Sequence, residues 1–286
     1  MKIFLLVLLF LLFLTIAVIP KEFKIKQRVV LVATGDVSLA RSVNTRIHKY
    51  HDPTWPFIKT TEILREADIT LINLESPLIT NCPLTDTGMK FCGDSGNVAG
   101  LTFAGVDVAN IANNHTKNYG EVGLEETVDV LTQNGILASG RERVAYKEIG
   151  KTTFAFVGYN DVGEKEGDFS EIKEVRQKAD VVVVSYHWGN EYTTQVSDRQ
   201  KYLAHLVVDA GADLVIGNHP HWVQSTEVYR DKLIVYAHGN FVFDQEWSQK
   251  TKEGVVGQYT FEDGKLVDWK LLPIKIIDFG QPHFVY

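Results

Sequence analysis

Six apolar, strand-like runs in this chain each lead into Asp, Glu, Asn or His, and that repetition limits the fold more than any other feature. Arg28 to Thr34 runs into Gly35-Asp36, Ile69 to Leu74 into Glu75, and Val106 to Ala112 into Asn113-Asn114-His115. Val181 to Ser185 leads to His187-Trp188-Gly189, Leu214 to Ile216 to Gly217-Asn218-His219-Pro220-His221, and Leu233 to Ala237 to His238-Gly239-Asn240. Runs this rich in Val, Ile and Leu read as strands buried on both faces. In open α/β sheets, ligands bind in the crevice beyond the carboxyl ends of the strands. Carboxylates, amides and imidazoles gathered there suit Mn²⁺, Fe²⁺ or Zn²⁺ better than Ca²⁺, which takes oxygen ligands alone.

Each residue has a plainer reading when taken alone. Asp36 can cap a turn, Glu75 can be a surface carboxylate, and Asn114 a turn residue. A single His187 can be a satisfied, half-buried histidine, and His238 and Asn240 can simply close a strand. His219 and His221 stand apart, because two imidazoles two positions apart project to one side of an extended segment. The conjunction predicts a metal centre built from Asp36, Glu75, Asn114, His187, His219 and His221.

Helical patterns fill the intervals. They cover Trp55 to Ala67, Glu121 to Gln133 closed by Asn134-Gly135, and Asp198 to Ala210 closed by Gly211. Ser197 with Gln200 three residues on forms a capping box for the last of these. Thr153 to Val157 is a further strand, and the C-terminal part turns to paired strands, Val255 to Phe261 and Leu266 to Ile274. Between these two, Glu262-Asp263-Gly264 is a hairpin signal. No repeat or linker divides residues 28–286, so they read as one α/β domain with a mixed sheet. At 45% hydrophobic and 286 residues the chain can bury a sizeable core, and a net charge of −7 without a basic stripe argues against nucleic acid as a partner.

Ahead of that domain, residues 1–27 read as a membrane anchor and juxtamembrane segment. Ile3 to Ile19 is apolar or near-neutral throughout, close to the minimum of about 17 residues that spans a bilayer. Thr15-Ile16-Ala17 is a poor cleavage site, which favours an uncleaved signal anchor over a removed leader. Flanking Lys21, Lys24, Lys26 and Arg28 weakly oppose export. Cys82 and Cys92, the two cysteines of the chain, have nine residues between them in a loop-like stretch. Spacing alone leaves open a small disulfide loop or two free thiols. Together with the leader, the pair tips the expectation to an extracytoplasmic domain in which the cysteines are joined.

The motifs also resemble those of the bacterial capsule-synthesis CapA (PgsA) family. They are Gly35-Asp36-Val37-Ser38-Leu39-Ala40-Arg41, Asn73-Leu74-Glu75, Ala112-Asn113-Asn114-His115 with Tyr119-Gly120, and His187-Trp188-Gly189-Asn190-Glu191-Tyr192. Gly211-Ala212-Asp213, His219-Pro220-His221-Trp222-Val223-Gln224 and Gly239-Asn240-Phe241-Val242-Phe243 continue the match, in order, over about residues 29 to 247. The resemblance implies a role in poly-γ-glutamate capsule production and a calcineurin-like metallophosphoesterase fold, a four-layer α/β/β/α sandwich. It implies one or two divalent ions, with Asp36 as first aspartate, Glu75 as bridging carboxylate, and Asn114-His115 as the Asn-His pair. His187 corresponds to a later ligand, and His219 with His221 to the closing His-x-His. Ser38 departs from the pattern, standing where phosphoesterases carry a ligand histidine, so a two-metal site would be one ligand short. Asn118 stands where the family commonly has Asp, and Asn218 and His238 are less usual.

The expected chemistry is metal-assisted hydrolysis, with His115 giving a proton to the leaving oxygen and Arg41 gripping a substrate anion as a bidentate fork. The plainer reading of Arg41 is a surface arginine. Trp188, Tyr192 and Trp222 can line a ring-binding wall or pack in the core. Implied partners are the membrane through residues 3–19, other capsule-synthesis membrane proteins, and an anionic polymer or phosphorylated substrate. Two rival functions stay open: a non-catalytic subunit of a membrane polymer synthase or exporter, and a metal-dependent amide hydrolase of polyglutamate.

Overall fold

The computed structural model describes residues 27–163 and 168–285. The anchor expected at residues 3–19 lies outside them. Among the described residues no helix is long and apolar enough to cross a membrane.

The strands in chain order are β1 (Arg28–Val37), β2 (Ile69–Leu74), β3 (Leu78–Ile79), β4 (Gly93–Asp94), β5 (Val108–Asn110), β6 (Leu137–Ser139), β7 (Ala145–Ile149) and β8 (Thr152–Asn160). They continue with β9 (Val181–His187), β10 (Leu214–Asn218), β11 (Thr226–Tyr229), β12 (Lys232–Val235), β13 (Asn240–Val242), β14 (Glu253–Glu262), β15 (Lys265–Ile277) and β16 (Gln281–Phe284). The α-helices are α1 (Arg41–Tyr50), α2 (Thr61–Glu66), α3 (Val98–Ala104), α4 (Gly120–Gln133), α5 (Ser170–Arg176) and α6 (Asp198–Ala210). One sheet runs β16-β15-β14-β1-β2-β5-β6, with β13 pairing β1, and a second runs β11-β12-β10-β9-β8-β7.

Strand parity explains how these sheets stack. In β1, Val29, Leu31 and Ala33 face the second sheet, where they meet Phe154, Val181, Val183 and Leu214. Val32 points the other way, into a core shared with Val43 of α1, Leu101 of α3 and Leu124 of α4. In β9, Val182 and Val184 pack with Ile172 of α5 and Leu203 of α6. Three apolar interfaces therefore separate four layers, helix, sheet, sheet, helix. The single mixed sheet read from the strand pattern is thus two sheets, the four-layer arrangement that the family resemblance implied. An apolar run buried on both faces shows the same pattern in either, so the periodicity alone could not divide them.

Other differences have local causes. The helix expected over Trp55 to Ala67 shrinks to α2; residues 53–60 form successive turns, where Pro53 and Pro56 lack backbone donors and disfavour helical backbone at the residues before them. By contrast α6 has the expected bounds and its capping box. At the β14–β15 hairpin, Asp263 and Gly264 have φ of 48° and 76°, the two positive values of a type I′ turn. Cys82 and Cys92 are disulfide-bonded.

Candidate metal centre

Parallel pairing brings the carboxyl ends of both sheets to one rim. In the first sheet Asp36 is in register with Asn240 on one side and Asn73 on the other, and Asn73 with Asn110. In the second, His187 is in register with Asn160 and Asn218. Two polar rows thus face each other at the rim. Gly35 permits the closeness, since a Cβ there would lie 2.0 Å from the Gly239 carbonyl oxygen; the Asp36 amide donates to that oxygen at 2.9 Å.

Glu75, just past β2, sits at the centre. It is fully buried, and neither of its carboxylate oxygens has a hydrogen-bond partner. Oε1 instead faces the Nε2 atoms of His115 at 4.0 Å, His187 at 3.9 Å and His221 at 3.9 Å. Two donors each about 2.1 Å from a shared ion can be up to about 4.2 Å apart, so the His187 and His221 separations fit a cation held between those rings and Glu75, with His115 alongside. Two overlapping sets have donor atoms within 4.8 Å of one another, Asp36-Glu75-His187 and Glu75-His219-His221, and Glu75 belongs to both. The donor types and the orphaned carboxylate both suit a divalent transition metal.

The surrounding bonds orient each donor. Asn73 donates to Asp36 Oδ1 at 2.9 Å and accepts from Asn110 at 3.0 Å. Asn240 donates to Gln245 Oε1 and the Thr251 carbonyl, so its oxygen faces His221 Nδ1 at 2.9 Å. The imidazole therefore donates from Nδ1 and keeps a lone pair on the Nε2 that faces Glu75. His187 Nε2 lies 2.7 Å from Asn114 Oδ1 and 3.1 Å from His219 Nδ1. Burial, reinforced by Asp36, pushes the Glu75 carboxyl well above the usual carboxylate range. Burial and then His219 hold His187 well below the ordinary imidazole value, and burial takes His219 down to about 3. Metal-free, Glu75, His187 and His219 favour their neutral forms; a cation would reverse the preference of Glu75.

All six expected ligand residues and His115 meet at this rim, though not all as pictured. His219 and His221 do not share one side of an extended segment: their φ values are 96° and 58°. They converge through left-handed turns, a conformation costing of order 1–3 kcal/mol each. Arg41 is not a surface residue; its guanidinium pairs with Asp244 and donates to the Gly88 carbonyl at 3.2 Å. It still borders a cavity of about 310 Å³ together with Phe91, His115, Tyr192, His221 and Trp247. A larger hollow of about 820 Å³ is bordered by none of the metal-facing side chains, so chemistry rather than volume locates the site. Trp188 is core, stacked on Tyr186 with centroids 4.4 Å apart. Tyr192 belongs to the cavity wall, edge-on to Trp247 at 4.6 Å, while Trp222 packs under Lys250.

Sequence reasoning did not assign Asn240, Phe91 or Gln245 to the site. Asn240 followed an apolar run and so carried a signal. Phe91 lies in a polar loop and carried none.

Two stacked sheets that end at a buried carboxylate–imidazole cluster make a metallophosphoesterase-like fold with a candidate metal centre. Comparison with known proteins agrees. A phosphatase from Mycoplasma pneumoniae superposes with a TM-score of 0.58 at 12% identity, over 90% of this chain and 95% of that one. A putative 5'-nucleotidase from Staphylococcus aureus gives 0.53 at 16% identity, over 88% and 55%. Residues 30–245 match the bacterial capsule synthesis protein PGA_cap family. The capsule biosynthesis protein CapA of Bacillus anthracis is 29% identical over 94% of this chain and 72% of its own length. The PGA biosynthesis protein CapA of Bacillus subtilis is 30% identical over 85% and 70%. The chain belongs to the bacterial capsule synthesis protein family.

Proposed function

We propose that this chain is a divalent-metal-dependent, phosphoesterase-like hydrolase serving capsule or poly-γ-glutamate synthesis at the cell envelope. The observation that carries the reading is Glu75, a buried carboxylate with no hydrogen bond and three imidazole nitrogens turned toward it. Asp36, Glu75, Asn114, His187, His219 and His221 would hold one or two ions of Mn, Fe or Zn. When bound, such an ion supplies Lewis acidity toward a phosphoryl or acyl oxygen.

The chain's own residues supply positioning and proton transfer. Asn118 Oδ1 accepts from the Phe91 amide at 2.6 Å and lies 3.0 Å from His115 Nδ1. The ring must therefore donate from Nδ1, so any proton it exchanges with substrate moves at Nε2, beside Glu75. Burial lowers its affinity for that proton, which eases its transfer to a leaving oxygen. Arg41, held by Asp244, would present its cavity-facing edge to a substrate anion.

Membrane attachment through residues 3–19, an extracytoplasmic domain and contact with other capsule-synthesis membrane proteins belong to the same proposal. The disulfide supports the compartment, since such bonds persist where the surroundings are oxidising. Protease added to intact spheroplasts should digest the domain; full protection would reverse that placement.

His115→Ala tests the chemistry. It should keep bound metal and lower turnover of a chromogenic phosphodiester by about 10²–10⁴-fold. Turnover equal to the parent's at full metal content would remove His115 from the reaction. A parent that binds metal yet turns over neither this substrate nor polyglutamate would instead be a non-catalytic subunit.

A further inference from the structure

We infer that the Cys82–Cys92 disulfide is a working part of the site and that Phe91, next to Cys92, is a positioning residue for His115. The inference rests on the hydrolase reading for its activity readout alone.

The segment between the cysteines crosses the front of the cavity. Most of its side chains from Leu84 to Lys90 are exposed, whereas Phe91 is 2% exposed. Beyond Cys92 the chain is anchored, because β4 pairs with β3 immediately after the Glu75 turn. The stretch before Phe91 is tied mainly from α1. Arg41 donates to the Gly88 carbonyl at 3.2 Å, Thr45 donates to Asp86 Oδ1 at 2.6 Å, and Asn44 reaches Cys82 Sγ at 3.8 Å. The disulfide is the covalent tie across the whole stretch, and it closes right beside Phe91.

Phe91 acts on His115 in two ways. Its ring stacks on the imidazole with centroids 3.8 Å apart and planes 8° from parallel. The Arg41 guanidinium carbon lies 4.3 Å from the same ring centroid. Two groups so near one centroid cannot share a face, so Phe91 is the middle member of a column of Arg41, Phe91 and His115. Its backbone amide, which can only donate, identifies the Asn118 oxygen and thereby requires the His115 proton on Nδ1. One residue thus sets both the tilt of the ring and its tautomer. A frayed loop would release both, and a displacement of about 1 Å at a reacting group can cost roughly 10²-fold in rate.

The test uses the full chain in detergent with ¹⁵N-labelled histidine, metal-free for spectra and zinc-loaded for kinetics. In the parent, the His115 Nδ1–H resonance, assigned by its absence in His115→Gln, should be protected from exchange. It should broaden or vanish in the Cys82→Ser/Cys92→Ser double variant and in Phe91→Ala, and persist in Phe91→Tyr, which keeps the stack. Zinc content should stay at the parent level, while kcat for the chromogenic phosphodiester falls roughly 10- to 100-fold with KM changed less than about twofold. An unchanged resonance in both variants would overturn the inference, as would loss of zinc in step with loss of rate. A parent without turnover would count against the hydrolase reading, and the resonance would still decide the role of Phe91.

Discussion

Two buried polar groups lie close to Asp36, and they are built on opposite plans. His238 bridges the sheets at the foot of the rim, with Nδ1 at 3.2 Å from the Thr34 carbonyl and Nε2 at 2.8 Å from the Tyr259 hydroxyl. Each polar atom of that pair has a partner. Glu75 has three imidazoles turned toward it and a hydrogen bond from none. Both residues are fully buried and both are pushed toward their neutral forms by burial. What separates them is satisfaction. A buried polar group that is paired adds specificity to a core, while one left unpaired costs about 1–3 kcal/mol or more. Such a cost persists when the group has another task. The comparison assigns His238 to structure and Glu75 to a ligand.

The largest effect should come from Glu75→Gln, which divides stability from binding. A carboxylate in the low-dielectric rim is unfavourable without a cation, so the neutral amide should raise the melting temperature of the metal-free protein by a few degrees, corresponding to about 1–2 kcal/mol. The same change replaces the charged carboxylate that belongs to both donor sets with a neutral amide, a much weaker ligand, and should lower metal affinity strongly. Proton release follows from the raised Glu75 pKa: where the metal-free carboxyl is protonated, metal uptake should expel a proton that the variant does not carry. Calorimetry of zinc binding in two buffers of different ionisation enthalpy measures it. Equal proton release by parent and variant would remove Glu75 from the centre.

A smaller effect separates two histidines that look alike in sequence. His219→Ala deletes a metal-facing imidazole from a crevice and should reduce metal affinity at least 10- to 100-fold with little change in the metal-free melting curve. His238→Ala should do the reverse. It strands the Tyr259 hydroxyl and the Thr34 carbonyl and opens a hole between the sheets, costing about 1–3 kcal/mol, while metal affinity stays near the parent value. If both variants lose metal and stability together, the two regions are one cooperative unit and the contrast drawn here fails.

This contrast also shows how far the sequence could be read. Asp36, Glu75, His187, His219 and His221 were legible because each follows an apolar run, and strand direction carries such residues to one edge. The same rule placed His238 and Asn240 there without saying which would face the ligand. That depends on Tyr259 in β14 and Gln245 after β13, contacts made across the fold that no local pattern records. Arg41 was read as substrate-binding or superficial, but its commitment to Asp244 is a pairing 203 positions away. The left-handed backbone at His219 and His221 was hidden too, because His-Pro-His has the look of an extended segment. The capping box gave α6 with its bounds, and α4, whose Tyr119 offers no side-chain cap, was legible from its Asn134-Gly135 end.

The finest test of the comparison is its pH dependence, because the two buried groups tilt stability in opposite directions. His238 titrates at about 4 in the folded protein against an ordinary 6.5 in the unfolded chain. Between those values the unfolded chain holds a proton that the folded one lacks, so this residue's contribution is complete above pH 6.5 and is lost as pH falls toward 4. The loss amounts to something on the order of 3 kcal/mol. Glu75, with its folded value raised, contributes most below about pH 4.5 and loses that contribution as pH rises. His187 and His219 share the direction of His238, so the parent's acid limb is a sum of several groups, and only a difference between variants isolates one. His238→Gln keeps hydrogen-bonding capacity and removes the titration. Denaturant unfolding of metal-free parent and variant from pH 4.5 to 7 should therefore give curves that converge at the acid end, with the variant shallower. Parallel curves would mean that His238 is not held neutral in the core, and the satisfied half of the comparison would lose its basis.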